Sequence, residues 1–228
     1  GEETKYTGTW GDIGTSSFYP PHHMTMGEGG AVYTDNPILN RLILSYRDWG
    51  RDCICVSGQD DSCGHRYDGQ FGELPYGYDH KYVYSHFGYN LKVTDLQAAV
   101  GVEQLKKFPD FIKRRIHNWN RLHKALETVR NKIILPEPAE NSEPSWFGFL
   151  ISVKPETGIQ RNDVIKYIEE HNIQTRLLFS GNIIRQPCFN QIRNTDTYRV
   201  IGKLDSTEYI MNNTFWVGAV SYTHLTLP

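Results

Sequence analysis

No apolar run in the 228-residue chain approaches the roughly 20 residues that a membrane span requires; the longest, Phe147 to Val153, already contains Gly148 and Ser152. Integral membrane insertion is therefore excluded as an expectation. Charge of one sign is lacking as well. Lys and Arg number 24 against 26 Asp and Glu, a net charge of −2, so there is no global field to hold a polyanion and nucleic-acid binding gains no support. Cysteine is scarce: four in the whole chain is too few for a disulfide scaffold. Three of the four crowd into one short segment, which points to a metal or redox site in a reducing, cytoplasmic compartment. Internal repeats and low-complexity tracts are missing, and so is an initiating Met, because the chain opens at Gly1 and runs straight into turn-rich sequence. It is read as a fragment. What remains is an ordinary globular composition, 39% hydrophobic and 22% charged, enough for one large domain or one and a half ordinary ones.

Two short apolar pieces, Gly14 to Tyr19 and Gly29 to Tyr33, read as strands joined by a tight loop. Ile38, Leu39, Leu42, Ile43 and Tyr46 then recur at helical spacing, with Asn36 and Pro37 placed as N-cap and first helical residue. Arg51 to Gly88 has no period and predicts a long loop, a length that is usually functional or disordered. Helices are predicted over Thr94 to Lys107, with Thr94 as cap, and separately over Phe111 to Arg130. The Lys and Arg residues of the second are interspersed with acidic ones and read as a solvated face rather than a binding stripe. After a Pro- and Glu-rich connector, Pro136 to Pro144, a strand (Trp146 to Val153), a helix (Arg161 to His171) and a strand (Thr175 to Phe179) predict a smaller α/β domain following a larger one.

The loop Ser17-Phe-Tyr-Pro-Pro-His-His-Met-Thr-Met-Gly-Glu-Gly-Gly30 sets a hydroxyl, two histidines and a Gly-rich turn between the first two strands. By composition alone His22 and His23 are metal ligands, a general base or plain polar loop residues, and Ser17 is a strand-end hydroxyl bonded to backbone. The cysteine segment is Cys53-x-Cys55-x7-Cys63. Thiolates so spaced can converge on one iron or zinc ion, whereas a disulfide between Cys53 and Cys55 would close a strained ring. Zinc needs a fourth ligand, for which His65 or His80 is available. An iron–sulfur centre needs a fourth thiolate, and Cys188 is the one other cysteine present, better suited to pack as a small apolar residue. Chemistry alone leaves the two metals even.

The His22 loop is similar to the cofactor-lysine segment of the DegT/DnrJ/EryC1/StrS aminotransferases, which act on nucleotide-linked keto-sugars. There a Ser-Phe-His-Pro-x-Lys run precedes a Gly-Glu-Gly-Gly turn. The resemblance runs from about Thr4 to Val217. It implies the α/β PLP-dependent transferase fold type I, aspartate-aminotransferase-like, with a truncated large domain at residues 1–107 and a bridging helix and small C-terminal α/β domain at 108–220. Ser221 to Pro228 does not resemble the family's continuation and reads as a non-native tail. The resemblance also implies that the missing upstream half carries the Asp pairing with the pyridine nitrogen, leaving the fragment a poor enzyme.

In this alignment His22 falls where the family carries its Schiff-base Lys. Imidazole has no primary amine to condense with pyridoxal, so the resemblance implies a non-covalently held cofactor, pyridoxamine 5'-phosphate. An imidazole, with an ordinary pKa of about 6.5, moves protons near neutral pH. A His at this position resembles the family's 3-dehydratases, which remove the C3 hydroxyl of a 4-keto-6-deoxyhexose; Tyr19 and Phe147, standing where aminotransferases often show His, point the same way. Ser17 then matches the hydroxyl contacting the cofactor phosphate. Asn90, in Ser85 to Val100, matches the Asn that reaches the phosphate bound in a neighbouring subunit, which implies a homodimer. Those 3-dehydratases that act on CDP-4-keto-6-deoxyglucose bear a [2Fe-2S] cluster on a C-x-C-x7-C pattern plus a fourth, upstream Cys. Cys53, Cys55 and Cys63 match it. The implied substrate is that CDP-linked 4-keto-6-deoxyhexose, a precursor of the 3,6-dideoxyhexoses of O-antigen, and the implied partner is an NADH-dependent flavin iron–sulfur reductase.

Overall fold

The computed structural model describes residues 3–53, 55 and 58–219. Ser221 to Pro228, expected to be foreign, lies outside the described residues. The chain divides into two compact units, Gly1–Lys106 and Lys107–Pro228.

In the first unit, strands β1 (Gly14–Ser17) and β2 (Gly30–Tyr33) pair antiparallel, with Gly14 opposite Tyr33 and Ser17 opposite Gly30. Both expected strands are present, each shorter than its apolar run. Helix α1 (Pro37–Arg47) starts where the cap chemistry places it: the Asn36 side chain accepts the N–H groups of Ile38 (2.9 Å) and Leu39 (3.3 Å), and Pro37 fills a position needing no donor. Past α1, Trp49 and Gly50 both take positive φ, and a Cβ on Gly50 would sit 1.8 Å from the His86 carbonyl oxygen. Only glycine permits that approach. Residues 84–91 are thereby laid along the end of α1, fastened by Tyr89 N–H to Tyr46 O (2.7 Å), Trp49 N–H to Tyr89 O (2.8 Å) and Ser85 N–H to Gly50 O (2.9 Å). The long loop is thus closed at its neck, and an isolated bridge pairs Arg51 with Tyr84.

Helix α2 (Asp95–Leu126) corrects the expectation of two helices: it is continuous through Pro109. Proline removes one backbone donor and crowds the preceding turn, a cost of about 3 kcal/mol in a helix interior. Long amphipathic stretches on both sides, with Trp119 and Leu122 buried, offset that cost. The helix begins with a capping box, Thr94 N–H to Gln97 Oε1 (2.9 Å) and Gln97 N–H to Thr94 Oγ1 (3.3 Å).

The second unit carries a four-stranded antiparallel sheet in the order β3 (Ile133–Ile134), β4 (Gly148–Val153), β6 (Thr214–Gly218), β5 (Thr175–Leu177), with helices α3 (Arg161–Glu170) and α4 (Asp205–Asn213). Phe149, Ile151 and Val153 alternate onto the buried face of β4, where they meet Phe215 and Val217 of β6 and Trp119 and Leu122 of α2. The Trp119 and Trp146 rings stack at 4.3 Å. The expected strand, helix and strand of this region are β4, α3 and β5; β3, α4 and β6 have no counterpart in the sequence reading. Among the helices described, none is long and apolar enough to cross a membrane.

Candidate functional site

The His22 loop hangs between β1 and β2 and is folded by its own backbone. Phe18 N–H reaches Gly29 O (2.8 Å), Met26 N–H reaches Phe18 O (2.9 Å), and Met26 is buried beside Gly101 of α2. Gln97 Nε2 donates to Glu28 O (3.2 Å), so the capping residue of α2 also holds the Gly-rich turn. On this frame His22 is exposed, its N–H bonded to Tyr19 O (2.9 Å) and its ring edge-on to Tyr19 at 5.9 Å. Its Nδ1 lies 3.3 Å from Ser17 O. A carbonyl can only accept, so that contact is a hydrogen bond when Nδ1 carries the proton, leaving Nε2 with a lone pair toward solvent. The Ser17 hydroxyl accepts Tyr19 N–H (3.3 Å) and retains its own O–H to donate to an anion. Lysine is missing from the whole stretch between Lys5 and Lys81, so no primary amine belongs to this loop.

Ser17 and His22 are therefore brought together. Asn90 stands on the segment fastened to α1, exposed and bridged to Asp48, and no hydrogen bond among the described residues joins it to Ser17 or His22. His23 is half-buried next to His22 in the same loop.

The three clustered cysteines converge. Cys55 Sγ lies 3.5 Å from Cys63 Sγ, and the ligand atoms of Cys53, Cys55 and His80 lie within 4.8 Å of one another. His80, 6% exposed, directs Nε2 to 3.5 Å from Cys63 Sγ, 3.7 Å from Cys55 Sγ and 4.0 Å from Cys53 Sγ. The other histidine considered as fourth ligand, His65, faces away: its Nδ1 holds Asp68 at 2.6 Å, a contact that raises its pKa, and only its backbone N–H reaches Cys63 Sγ (3.4 Å). Cys188 is exposed in a short 3-10 turn, Pro187–Gln191, which corrects the expectation that it packs as an apolar residue.

The thiols differ in acidity for local reasons. The Cys63 backbone N–H, with side-chain bonds from Cys63, Ser62 and Cys53, pulls Cys55 down to about 6. Burial pushes Cys53 up. The His65 N–H draws Cys63 down, but burial and the adjoining Cys55 outweigh it and Cys63 is raised. Cys55 is thus the most acidic of the three thiols.

Three ties that sequence spacing did not disclose hold Cys63 and His80 in register. Arg66 clasps the Asp79 carboxylate through Nε (3.0 Å) and a terminal nitrogen (2.7 Å), Lys81 pairs with Asp60, and His80 N–H bonds to Arg66 O (3.1 Å). Asp79 also caps the turn His80–Tyr82 by accepting Lys81 N–H (3.1 Å). The Asp-His-Lys run at 79–81 was the available signal, a capping residue directly before a metal-ligating type.

Residues 2–226 match the DegT/DnrJ/EryC1/StrS aminotransferase family, and the chain belongs to it. It is 52% identical over 216 residues to the lipopolysaccharide biosynthesis protein RfbH of Salmonella typhimurium, covering 95% of this chain and 48% of that relative. It is 49% identical over 214 residues to the dTDP-4-dehydro-2,6-dideoxy-D-glucose 3-dehydratase of Saccharopolyspora spinosa, covering 94% and 45%. Its backbone superposes with a TM-score of 0.77 and 25% identity on the E. coli GDP-4-keto-6-deoxy-D-mannose-3-dehydratase with bound hydrated PLP, over 95% of this chain and 52% of that one. The fold is that of the PLP-dependent fold type I enzymes, and the chain spans about half the length of the curated relatives it matches.

Proposed function

We propose that this chain is part of a nucleotide-sugar 3-dehydratase that works with pyridoxamine 5'-phosphate and removes the C3 hydroxyl of a 4-keto-6-deoxyhexose. The observation that carries the reading is His22, an imidazole anchored through Nδ1 on Ser17 O in a loop without lysine. The 3-dehydratase activities named for the relatives from Saccharopolyspora spinosa and E. coli support it. The residues fit the cofactor: the Ser17 hydroxyl is free to donate to its phosphate, and Asn90 would reach the phosphate bound by a second copy in a homodimer. When bound, the cofactor supplies an amine for the substrate's C4 ketone and a conjugated ring that accepts electron density. With that cofactor bound, His22 would accept a proton on Nε2, while Ser17 O holds the imidazole's tautomer and direction through Nδ1. Residues 1–107 form the cofactor-binding part and 108–220 the small domain in this reading.

We further propose that the substrate is CDP-4-keto-6-deoxyglucose, in 3,6-dideoxyhexose synthesis for O-antigen, and that Cys53, Cys55 and Cys63 hold a [2Fe-2S] cluster. Three converging thiols, one of them acidic near 6, suit that donor set. Such a cluster supplies single-electron passage, and an NADH-dependent flavin iron–sulfur reductase is the partner able to feed it. A second reading, a structural zinc in a cluster-free 3-dehydratase for another nucleotide-linked sugar, is favoured by the approach of His80 Nε2 to all three thiols. Anaerobic reconstitution with iron and sulfide, followed by visible and EPR spectra and metal analysis, separates the two. Zinc at one per chain with no iron overturns the cluster. Turnover of CDP-, GDP- and dTDP-linked substrates side by side tests the nucleotide.

A further inference from the structure

We infer that His123 is a pH-operated clasp: its protonated ring bridges Glu127 and Glu137 and so fastens the Pro- and Glu-rich connector, residues 136–144, to the end of α2, and loss of the proton loosens it. None of these residues belongs to either candidate site above.

His123 lies on the last turn of α2, four residues before Glu127, which opens the short 3-10 turn Glu127–Val129. Its Nδ1 stands 3.6 Å from Glu127 Oε1 and its Nε2 stands 3.3 Å from Glu137 Oε1. Each ring nitrogen thus faces a carboxylate oxygen, an atom that only accepts. A neutral imidazole has a single N–H, so it satisfies one of the two and turns a lone pair toward the other, whereas the imidazolium donates to both. Charge points the same way. Arg130 holds Glu127 through Nε (2.8 Å) and a terminal nitrogen (3.0 Å), and that terminal nitrogen also pairs with Glu137. Two carboxylates and one guanidinium leave a net charge of −1, which a proton on His123 brings to zero. Arg130 first, and His123 after it, hold the Glu137 carboxyl below its usual value of 4.5, so the acceptor stays ionised across neutral pH.

The face of the ring is engaged as well. His123 stacks on Trp119 at 4.9 Å, where the negative face of the indole favours a cation. Trp119, 5% exposed, stacks in turn on Trp146 at 4.3 Å, and from β4 the imidazole meets the apolar ring of Phe149 edge-on at 6.4 Å. The connector therefore has two moorings on α2: Trp146, just past its end, through the stack, and Glu137, near its start, through His123. The first is indifferent to pH and the second is not. Because Arg130 keeps its hold on Glu137 throughout, the clasp loosens rather than opens.

Hydrogen exchange read by mass spectrometry on the purified chain tests this at about pH 5.5 and about pH 8.5, either side of the ordinary imidazole pKa of about 6.5. Comparing variant with wild type at one pH cancels the intrinsic pH dependence of exchange. In peptides spanning 133–144, His123→Gln should exchange about two- to fivefold faster than wild type at the lower pH and at the wild-type rate at the higher. In a Glu137→Gln background, His123→Gln should add nothing at either pH. Wild-type tryptophan emission should fall toward the lower pH as the imidazolium quenches Trp119, and His123→Gln should lack that step. His117→Gln, exposed on the same helix, should leave both readouts unchanged. If His123→Gln disturbs the fold, seen as faster exchange in β4, Glu137→Gln alone decides, because its excess exchange over wild type should be larger at the lower pH. Acceleration equal at both pH values overturns the clasp and leaves His123 a plain structural residue. A fluorescence step without pH-dependent exchange in the connector, or no step at all, overturns it too.

Discussion

At position 22 the side chain decides which half of the family's chemistry is open. An imidazole held by Ser17 O through Nδ1 can exchange a proton on Nε2 but has no primary amine to condense with a carbonyl. His22→Ala should abolish C3 deoxygenation while cofactor affinity, measured by fluorescence or equilibrium dialysis, stays near wild type; wild-type turnover in that variant would remove the assignment. His22→Lys should restore an amine and give the absorbance of a covalently held pyridoxal, and with cofactor bound but no such band the placement of the loop would be wrong. The cysteines divide similarly. Cys53→Ser, Cys55→Ser and Cys63→Ser should each lose bound metal, and Cys188→Ser, exposed in the other unit, should lose none. Metal content by mass spectrometry checks the set.

At the scale of elements, caps and tethers carry measurable stability. Asn36 satisfies two orphan donors of α1, and Asn36→Ala should cost about 1 kcal/mol in urea unfolding. Glu169, on α3, accepts the hydroxyl (2.6 Å) and N–H (3.2 Å) of Thr175 on β5, and these bonds hold its carboxyl below its usual value of 4.5. A folded pKa lying below the unfolded one means that the stabilisation is present above the unfolded value and is lost as pH falls through the folded one. The difference in stability between wild type and Glu169→Gln should therefore be constant near neutrality and shrink below about pH 4.5. An undiminished gap at pH 3 would show that the carboxylate is not the tether. Because the group is exposed, the effect at neutral pH should be small.

On the scale of the whole molecule, the second unit rests on a sheet whose inner face is completely dry at Phe149, 0% exposed, against Phe215 at 1%. Phe149→Ala should cost about 3–5 kcal/mol, more than any surface change proposed here, and expose the unit to proteolysis. If the protein is a homodimer with shared sites, mixing His22→Ala chains with Asn90→Ala chains should regenerate activity. Each mixed dimer then has one site with both residues intact, or roughly a quarter of the wild-type sites after random exchange. No recovery from co-refolded chains, with dimers verified, would place Asn90 in its own subunit's site.

The sequence by itself determined what is local. Asn36-Pro37 set the start of α1, the short apolar run Trp146 to Val153 set β4, and the C-x-C-x7-C spacing together with the Ser17 to Gly30 loop marked both candidate sites, because caps, short strands and short loops are governed by neighbours a few residues away. Only the tertiary structure brings the imidazole of His80, and not that of His65, up to the thiols, although the two residues are 15 apart in one unperiodic loop. That choice depends on the Arg66–Asp79 and Lys81–Asp60 ion pairs, and those pairs form after the chain has turned back on itself. It also decided that α2 runs through Pro109. Local propensity assigns a break there, whereas burial of Trp119 and Leu122 against the sheet depends on β6, a strand almost a hundred residues downstream whose pairing no short window reveals.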